Sequence, residues 1–366
     1  MKILHVSGAR VWGGNEQQLI LNINELNKLE SENYIFGINN SPLSIVANEN
    51  NINFIPSTAK KISKFSNVSQ LKKIISEYKI DVIHFHTSDS LTLFYMFNLT
   101  NKITQKIIYS KKAVRGSGSF FSKFKYNLKR IDHIICVSEK VKYDLKNILN
   151  PSSQKKLTVV YDCVSLSSEK NNFDFDSFKA KYNINPTTFL IGSIANHTTA
   201  KDLPNLINAI YILKNEYNVS NFKLIQVGHF SKLTPEIEDL IEKLDLKNEI
   251  ILTGKIENAM SLNKIFDIFV ISSTREGGPT AALEAMLMKT TIVTTDVGIM
   301  SEIINNKENG FICKTDNHHE LAKSLHEASI CDKNKIDLIK EYNYKLVTEN
   351  FNSKKISKQI LEIYAS

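Results

Sequence analysis

Short apolar runs alternate with longer stretches of helical periodicity along almost the whole chain, and this alternation constrains the fold more than any other feature. Strands buried on both faces read as continuous apolar runs, and parallel neighbours need a crossover long enough to hold a helix. Parallel sheets with helices on both faces are therefore expected. The strand-like runs fall in two sets: 3–7, 34–38, 53–56, 82–86, 106–110, 133–138 and 157–161, then 189–194, 222–227, 250–253, 268–272, 291–294 and 310–313. A polar stretch, 162–186, separates them, and 366 residues exceed one hydrophobic core. The expectation is two α/β domains, residues 1–165 and 187–349, joined by a linker over 166–186.

The most informative stretch is Ser273-Thr-Arg-Glu-Gly-Gly-Pro-Thr-Ala-Ala-Leu-Glu-Ala-Met286. A buried strand precedes it, and from Thr280 onward it carries helix formers with Pro279 where a first turn tolerates proline. A strand, a tight Gly277-Gly278 turn and a helix aim the helix's unpaired N–H groups and positive dipole end beyond the strand's carboxyl end. An anion fits there, most naturally a phosphate. Glu276 and Glu284 are acceptor-only groups beside that anion site, so they suit hydroxyls, which donate hydrogen bonds. A nucleotide sugar, with a diphosphate flanked by ribose and sugar, meets the description.

At 42% hydrophobic and 23% charged the composition is that of an ordinary globular chain. No run approaches a membrane span and the N-terminus enters a strand directly, so no signal peptide is expected. Cys136, Cys163, Cys313 and Cys331 stand singly, as reduced small hydrophobes of a cytoplasmic protein do. The net charge of +8 is uneven: residues 1–180 hold 25 Lys+Arg against 15 Asp+Glu, and the remainder 21 against 23. No RNA-binding motif or zinc-finger spacing accompanies the basic half, which favours an anionic membrane surface or lipid-linked acceptor over nucleic acid. Residues 111–130 interleave Phe120, Phe121, Phe124 and Tyr126 with Lys123, Lys125, Lys129 and Arg130, either as a helix in a membrane interface or as a surface helix with core aromatics.

Near the N-terminus, Gly13-Gly14 follow a strand, and Asn15 with Gln18 is placed as a helix cap and capping box ahead of Leu19, Ile20, Ile23 and Leu26. His84 and His86 share one strand face in Asp81-Val-Ile-His-Phe-His86. Such a pair can bind metal, but no third ligand stands out, and no metal or cofactor is expected.

The run Glu276 to Met286, followed by Thr291-Ile-Val-Thr-Thr-Asp-Val-Gly298, Ser301-Glu-Ile-Ile304 and Asn309-Gly310, resembles the C-terminal signature of the retaining glycosyltransferases of family four. The resemblance implies the GT-B arrangement: two Rossmann-like α/β/α domains with parallel sheets facing across a cleft. The first domain would bind acceptor, the second nucleotide sugar, and the helix over 350–366 would pack back across the first. It implies a glycine-rich loop, Gly13 and Gly14, facing the donor phosphates. In Ile191-Gly-Ser-Ile-Ala-Asn196-His-Thr-Thr-Ala-Lys201 the family's phosphate lysine is Lys201, while its arginine position holds Asn196, a neutral amide. Either His197 or Arg275 compensates, or phosphate stabilisation rests more on Lys201 and backbone donors. His86 would lie near the acceptor or the donor sugar. Where many members carry a histidine after the next strand, this chain reads Tyr109-Ser-Lys-Lys112, and Lys111, Lys112 and Arg115 are expected to meet an anionic acceptor. A further departure is Cys163, which replaces a glycine in Val160-Tyr-Asp-Cys-Val-Ser165 and so bears on hinge geometry.

The function expected is retaining transfer of a hexose or N-acetylhexosamine, from UDP by preference, to a glycan or lipid-linked acceptor in bacterial surface polysaccharide or lipopolysaccharide synthesis. Lys201, Glu276 and His86 form the expected catalytic set. Gly277, Gly278, Pro279, Thr280, Asn196 and the Gly13-Gly14 loop would hold the diphosphate, Glu284 the ribose, and backbone groups around Thr253 to Ile256 the base. A nucleotide-sugar epimerase of the same fold and a non-enzymatic two-domain sugar-binding protein are the alternatives.

Overall fold

The computed structural model describes residues 1–113, 120–167 and 173–366, with side chains omitted for 120–122. The chain divides into two compact units, Met1–Cys163 with Ser353–Ser366, and Val164–Asn352. In the first unit β1 (Lys2–Ser7), β2 (Glu32–Gly37), β3 (Asn53–Pro56), β4 (Val82–Phe85), β5 (Lys106–Lys111), β6 (His133–Cys136) and β7 (Leu157–Val159) form one parallel sheet in the order β3-β2-β1-β4-β5-β6-β7. In the second, β8 (Phe189–Ile194), β9 (Phe222–Val227), β10 (Ile250–Leu252), β11 (Ile268–Ile271), β12 (Thr291–Thr295) and β13 (Phe311–Cys313) form another, in the order β10-β9-β8-β11-β12-β13. Every strand-like run of the sequence is a strand. The strand order reverses at β1/β4 and at β8/β11, and crevices at the carboxyl ends of such switch points are where open α/β sheets bind ligands.

Some runs overshoot by a residue or more, because their last residues serve the following helix: Ser138 accepts from the Val141 amide as cap of Glu139–Lys146. The sheet of the first unit buries both faces. On one, Val6, Phe36, Phe85 and Tyr109 pack beneath helices that contribute Leu71, Leu91 and Phe94. On the other, Ile3, Val82 and Ile108 meet Leu26 of helix Gly14–Leu26 and Ile356, Ile360 and Tyr364 of helix Ser353–Ala365. Because side chains alternate with period two, the residues two positions on, His5, His84 and Ser110, lie on this same face. The face thus changes from apolar to polar toward the strands' carboxyl ends.

Two expectations are corrected here. Asn15 does not cap the first helix: it starts at Gly14, and its cap is the extended Gly13, which has no side chain to offer. Gln18 is no capping-box partner but lies buried, donating to the Cys163 carbonyl at 2.7 Å and accepting from the Cys163 amide at 2.8 Å. Its amide matches a peptide group, so a bidentate bond to buried backbone wins over a bond to a helix end that solvent already serves. Within the stretch 166–186 lies helix Phe175–Lys181, capped by Asp174 and anchored by buried Phe178.

The Gln18 clamp gives a direct test. In Gln18→Ala both polar groups of Cys163 lose their side-chain partner in a buried site, at a cost of roughly 1–3 kcal/mol for each group left unpaired. Urea titration should show a lower midpoint for Gln18→Ala, and a smaller loss for Gln18→Glu, which keeps the acceptor.

Candidate functional site

In the second unit, two strand-to-helix turns at the β8/β11 switch are stitched together. The Thr274 amide donates to the Ala200 carbonyl at 2.9 Å, and Ser272 Oγ to the Lys201 carbonyl at 2.8 Å. Lys201 ends the turn Thr199–Lys201, after which Asp202, at φ 48°, caps helix Leu203–Asn215. Lys201 Nζ forms an ion pair with Glu276 Oε1, and Ser273 Oγ donates to the same oxygen at 2.8 Å. The two side chains are 28% and 14% exposed, enough desolvation to strengthen the pair while leaving it reachable.

Helix Thr280–Leu287 follows, preceded by Pro279, and no side chain caps it. The turn before it is clamped by the segment after β12. Thr295 Oγ1 donates to the Ser273 carbonyl at 2.7 Å and the Ile299 amide to the Gly277 carbonyl at 3.1 Å. Gly298, at φ 49°, lies so close that a Cβ there would collide with the Gly277 carbonyl oxygen. This is why the Thr-Asp-x-Gly run accompanies the Glu-Gly-Gly turn: one presents the backbone surface on which the other rests. Gly278 is half-buried, and Glu284, in the helix's second turn, is buried.

Asn196 is half-buried, and its Oδ1 accepts from the His229 amide at 2.9 Å. Of the two residues that stood to compensate for it, His197 is committed elsewhere. It is buried, with Nδ1 2.8 Å from Thr234 Oγ1 and Nε2 2.8 Å from Gln226 Oε1. Gln226 spends its amide hydrogens on the Ala195 and Val227 carbonyls, so its oxygen faces the ring and both ring nitrogens are occupied. Arg275, half-buried beside Glu276, has no acidic partner among the described residues. Ile256 is half-buried in the loop after β10, where Gly254, at φ 73°, accepts from the Gly228 amide at 3.0 Å.

In the first unit, Gly13 is half-buried and Gly14 exposed. His86 follows β4 and is half-buried beside His84, with ring centroids 3.9 Å apart. The third member of this cluster, His5, went unnoticed in the sequence. It pairs with His84 across the β1/β4 ladder, and its Nδ1 lies 3.0 Å from His86 Nε2. The signal was available: two adjacent switch strands in parallel register put His5 beside an H-x-H pair. His84 is held by the Tyr364 hydroxyl at 2.6 Å and by Ser110 Oγ at 2.7 Å. The three rings offer ligand atoms within 4.8 Å of one another. They line a concavity shared with Asn15, Lys112 and Asp162.

Of the cations expected at an acceptor, Lys112 is paired with Asp162 at 2.5 Å and Lys111 donates to the Tyr126 hydroxyl at 2.8 Å. Arg115 lies outside the described residues. In helix Phe120–Tyr126, Lys125 is buried and donates to the Ser88 carbonyl and to Thr92 Oγ1, both at 2.9 Å; burial lowers its pKa. Arg130 pairs with Asp132 at 2.9 Å. Lys123, Phe124 and Lys129 are exposed, and no helix among the described residues is long and apolar enough to cross a membrane.

Burial pushes the His5 imidazole down to about 4 and those of His84 and His86 well below their usual value. Unfolded, all three titrate near ~6.5. Between the two values the unfolded chain binds more protons, so stability is full above ~6.5 and falls as the pH drops below it. Lowering the pH from about 7.5 to about 5 should therefore reduce the melting temperature, and His84→Gln should flatten that dependence.

Residues 174–346 match the family model described as Glycosyl transferases group 1, and residues 45–168 match the one described as Glycosyltransferase Family 4. The chain is 22% identical over 307 residues to the N-acetyl-alpha-D-glucosaminyl L-malate synthase of Bacillus anthracis, covering 81% of this chain and 77% of that protein. It is 25% identical over 240 residues to the capsular polysaccharide biosynthesis glycosyltransferase CapM of Staphylococcus aureus, covering 63% and 60%. A solved glycosyltransferase from Rickettsia africae superposes with a TM-score of 0.86 at 24% identity, over 99% of this chain and 97% of that one. The Anabaena protein HepE, solved with UDP and glucose, superposes with a TM-score of 0.84 at 17% identity, over 100% and 99%. At such identities the structural likenesses speak to fold alone.

Proposed function

Because this chain belongs to glycosyltransferase family four and is a sugar transferase built from the two domains of the GT-B fold, we propose that it moves a hexose or N-acetylhexosamine from UDP to a glycan or lipid-linked acceptor of the bacterial surface, with retention. The observation that carries this is the Lys201–Glu276 ion pair at the mouth of the uncapped helix Thr280–Leu287. When a nucleotide diphosphate enters, Lys201 exchanges one anion for another, and Glu276 is released to accept hydrogen bonds from sugar hydroxyls. Burial of the lysine charge is compensated in both arrangements.

The glycosidic bond to the β-phosphate breaks with its electron pair leaving on the diphosphate, and the acceptor hydroxyl oxygen bonds to the anomeric carbon on the same face while its proton passes to an oxygen of the departing diphosphate. Charge on the departing group is met by Lys201, by Arg275 in the role of the missing arginine, and by N–H groups at the helix start; no metal takes part. Preorganised donors of this kind are usually the largest catalytic contribution. Glu284 holds the ribose, and the 253–256 loop presents backbone to the base. UDP is favoured because structural neighbours were solved with it, and a surface glycan because CapM is named for capsular polysaccharide.

Glu284→Ala should weaken UDP binding in calorimetry by about tenfold or more, since a hydrogen bond to a charged group contributes ~1.5–3 kcal/mol. Lys201→Ala should leave more of the binding but lower the maximal rate by about two orders of magnitude. Sugar nucleotide epimerised without release of UDP, or bound tightly without any product, would overturn the assignment.

Reversible attachment to an anionic membrane is part of the same proposal, now resting on Lys123, Phe124 and Lys129 rather than on Lys125 and Arg130, which the fold uses. Replacing Lys123 and Lys129 by glutamine should abolish sedimentation with anionic vesicles at low salt while UDP binding persists.

A further inference from the structure

The histidine cluster of the first unit carries a directional chain of hydrogen bonds. Asn33 Nδ2 donates to Asn27 Oδ1 at 2.7 Å and to Ser31 Oγ at 2.9 Å, which turns Asn33 Oδ1 toward His5 Nε2, 3.1 Å away. An amide oxygen only accepts, so the hydrogen of His5 is on Nε2. A neutral imidazole carries one N–H, and burial keeps His5 neutral above a pH of about 4. Its Nδ1 is then a bare acceptor, and the atom 3.0 Å away, His86 Nε2, must donate to it. With its one hydrogen so placed, His86 has a bare Nδ1, for which no donor appears among the described residues. His86 is half-buried and lines the concavity at the β1/β4 switch point.

We propose that Asn33 and His5 are positioning residues that fix His86 as the Nε2–H tautomer, so that its Nδ1 offers an obligatory acceptor to a ligand hydroxyl. Building on the sugar-transfer assignment above, that hydroxyl is the attacking one of the acceptor. An acceptor atom at this point repels phosphate and carboxylate oxygens, and the cation nearest to hand, Lys112, is already neutralised by Asp162. The subsite therefore selects a neutral hydroxyl donor, not an anion. Desolvation also makes the His86 ring a poor proton acceptor. It orients the hydroxyl by a hydrogen bond and does not carry its proton away. His84 takes no part in the chain of donation: Tyr364 and Ser110 occupy both of its nitrogens, and it packs against the His86 ring at 3.9 Å between centroids.

The test uses the full chain labelled with 15N-histidine. In the wild type near neutral pH, the His86 resonances should report hydrogen on Nε2 and a bare Nδ1. Asn33→Leu and His5→Phe remove the acceptor that dictates this, and each should give a mixture of tautomers. UDP release from UDP-glucose, with water as the acceptor, should fall by ~10-fold or more in both variants through loss of orientation, while UDP binding is unchanged. A wild-type His86 with hydrogen on Nδ1, or a tautomer untouched in both variants, would overturn the proposal. So would stoichiometric Zn2+ binding that shifts all three histidines, which would make the cluster a metal site. Absence of UDP release from the wild type would count against the donor assignment instead, and the resonances would still decide the relay. If His5→Phe does not fold, the wild-type spectrum and Asn33→Leu decide it.

Discussion

Within each sheet of this protein every paired strand runs the same way, and the chemistry follows from that constraint. Parallel pairing sends every carboxyl end to one edge of a sheet, and the crossovers that pairing requires are helices whose positive ends begin at that same edge. The reversals of strand order at β1/β4 and β8/β11 then open a gap at one place along each edge. Both functional clusters sit at such gaps: the lysine–glutamate pair in one unit and the three histidines in the other. They differ in what the chain put there. One is a partly exposed ion pair beside a helix start that no side chain caps; the other is a desolvated cluster of three imidazoles.

The fold was legible because its signals are local. Runs such as 189–194 and 222–227 coincide with β8 and β9 at both ends, since a short apolar run between turn residues suits a strand buried on both faces. The turn at Glu276 to Pro279 was legible for the same reason. What the sequence hid is set by contacts over long separations. Gln18 looked like a capping residue because the group it serves, Cys163, is 145 positions away. His197 looked available for phosphate because nothing in its neighbourhood announces Gln226 or Thr234. His5 looked like an ordinary strand residue until the register of β1 and β4 placed it.

Charge was the least faithful guide. A formal excess of positive residues in the first half reads as a surface for an anion, yet several of these cations are structural. Lys125 is buried with three oxygen partners, Lys112 is paired with Asp162, Arg130 with Asp132, and Lys156 donates to the Lys129 and Ile131 carbonyls. Long side chains can bury their stems and turn their tips inward, and a backbone carbonyl at a loop can then accept from the ammonium group. Counting charges therefore overstates the field such a surface presents; among the described residues of 111–130, Lys123 and Lys129 are the exposed cations.

The last helix of the first unit, Ser353–Ala365, is made only after the entire second unit. Tyr364 is nonetheless a hydrogen-bond partner of His84, and Ile356 and Ile360 cover the same sheet face. During synthesis the first sheet must wait with that face covered only in part, by helix Gly14–Leu26, and His84 without its hydroxyl partner, while the second unit has every residue of its own core before the ribosome reaches position 353. Domains ordinarily fold in the order they emerge. Here the half made first is finished last, its sheet face completed only by helix Ser353–Ala365.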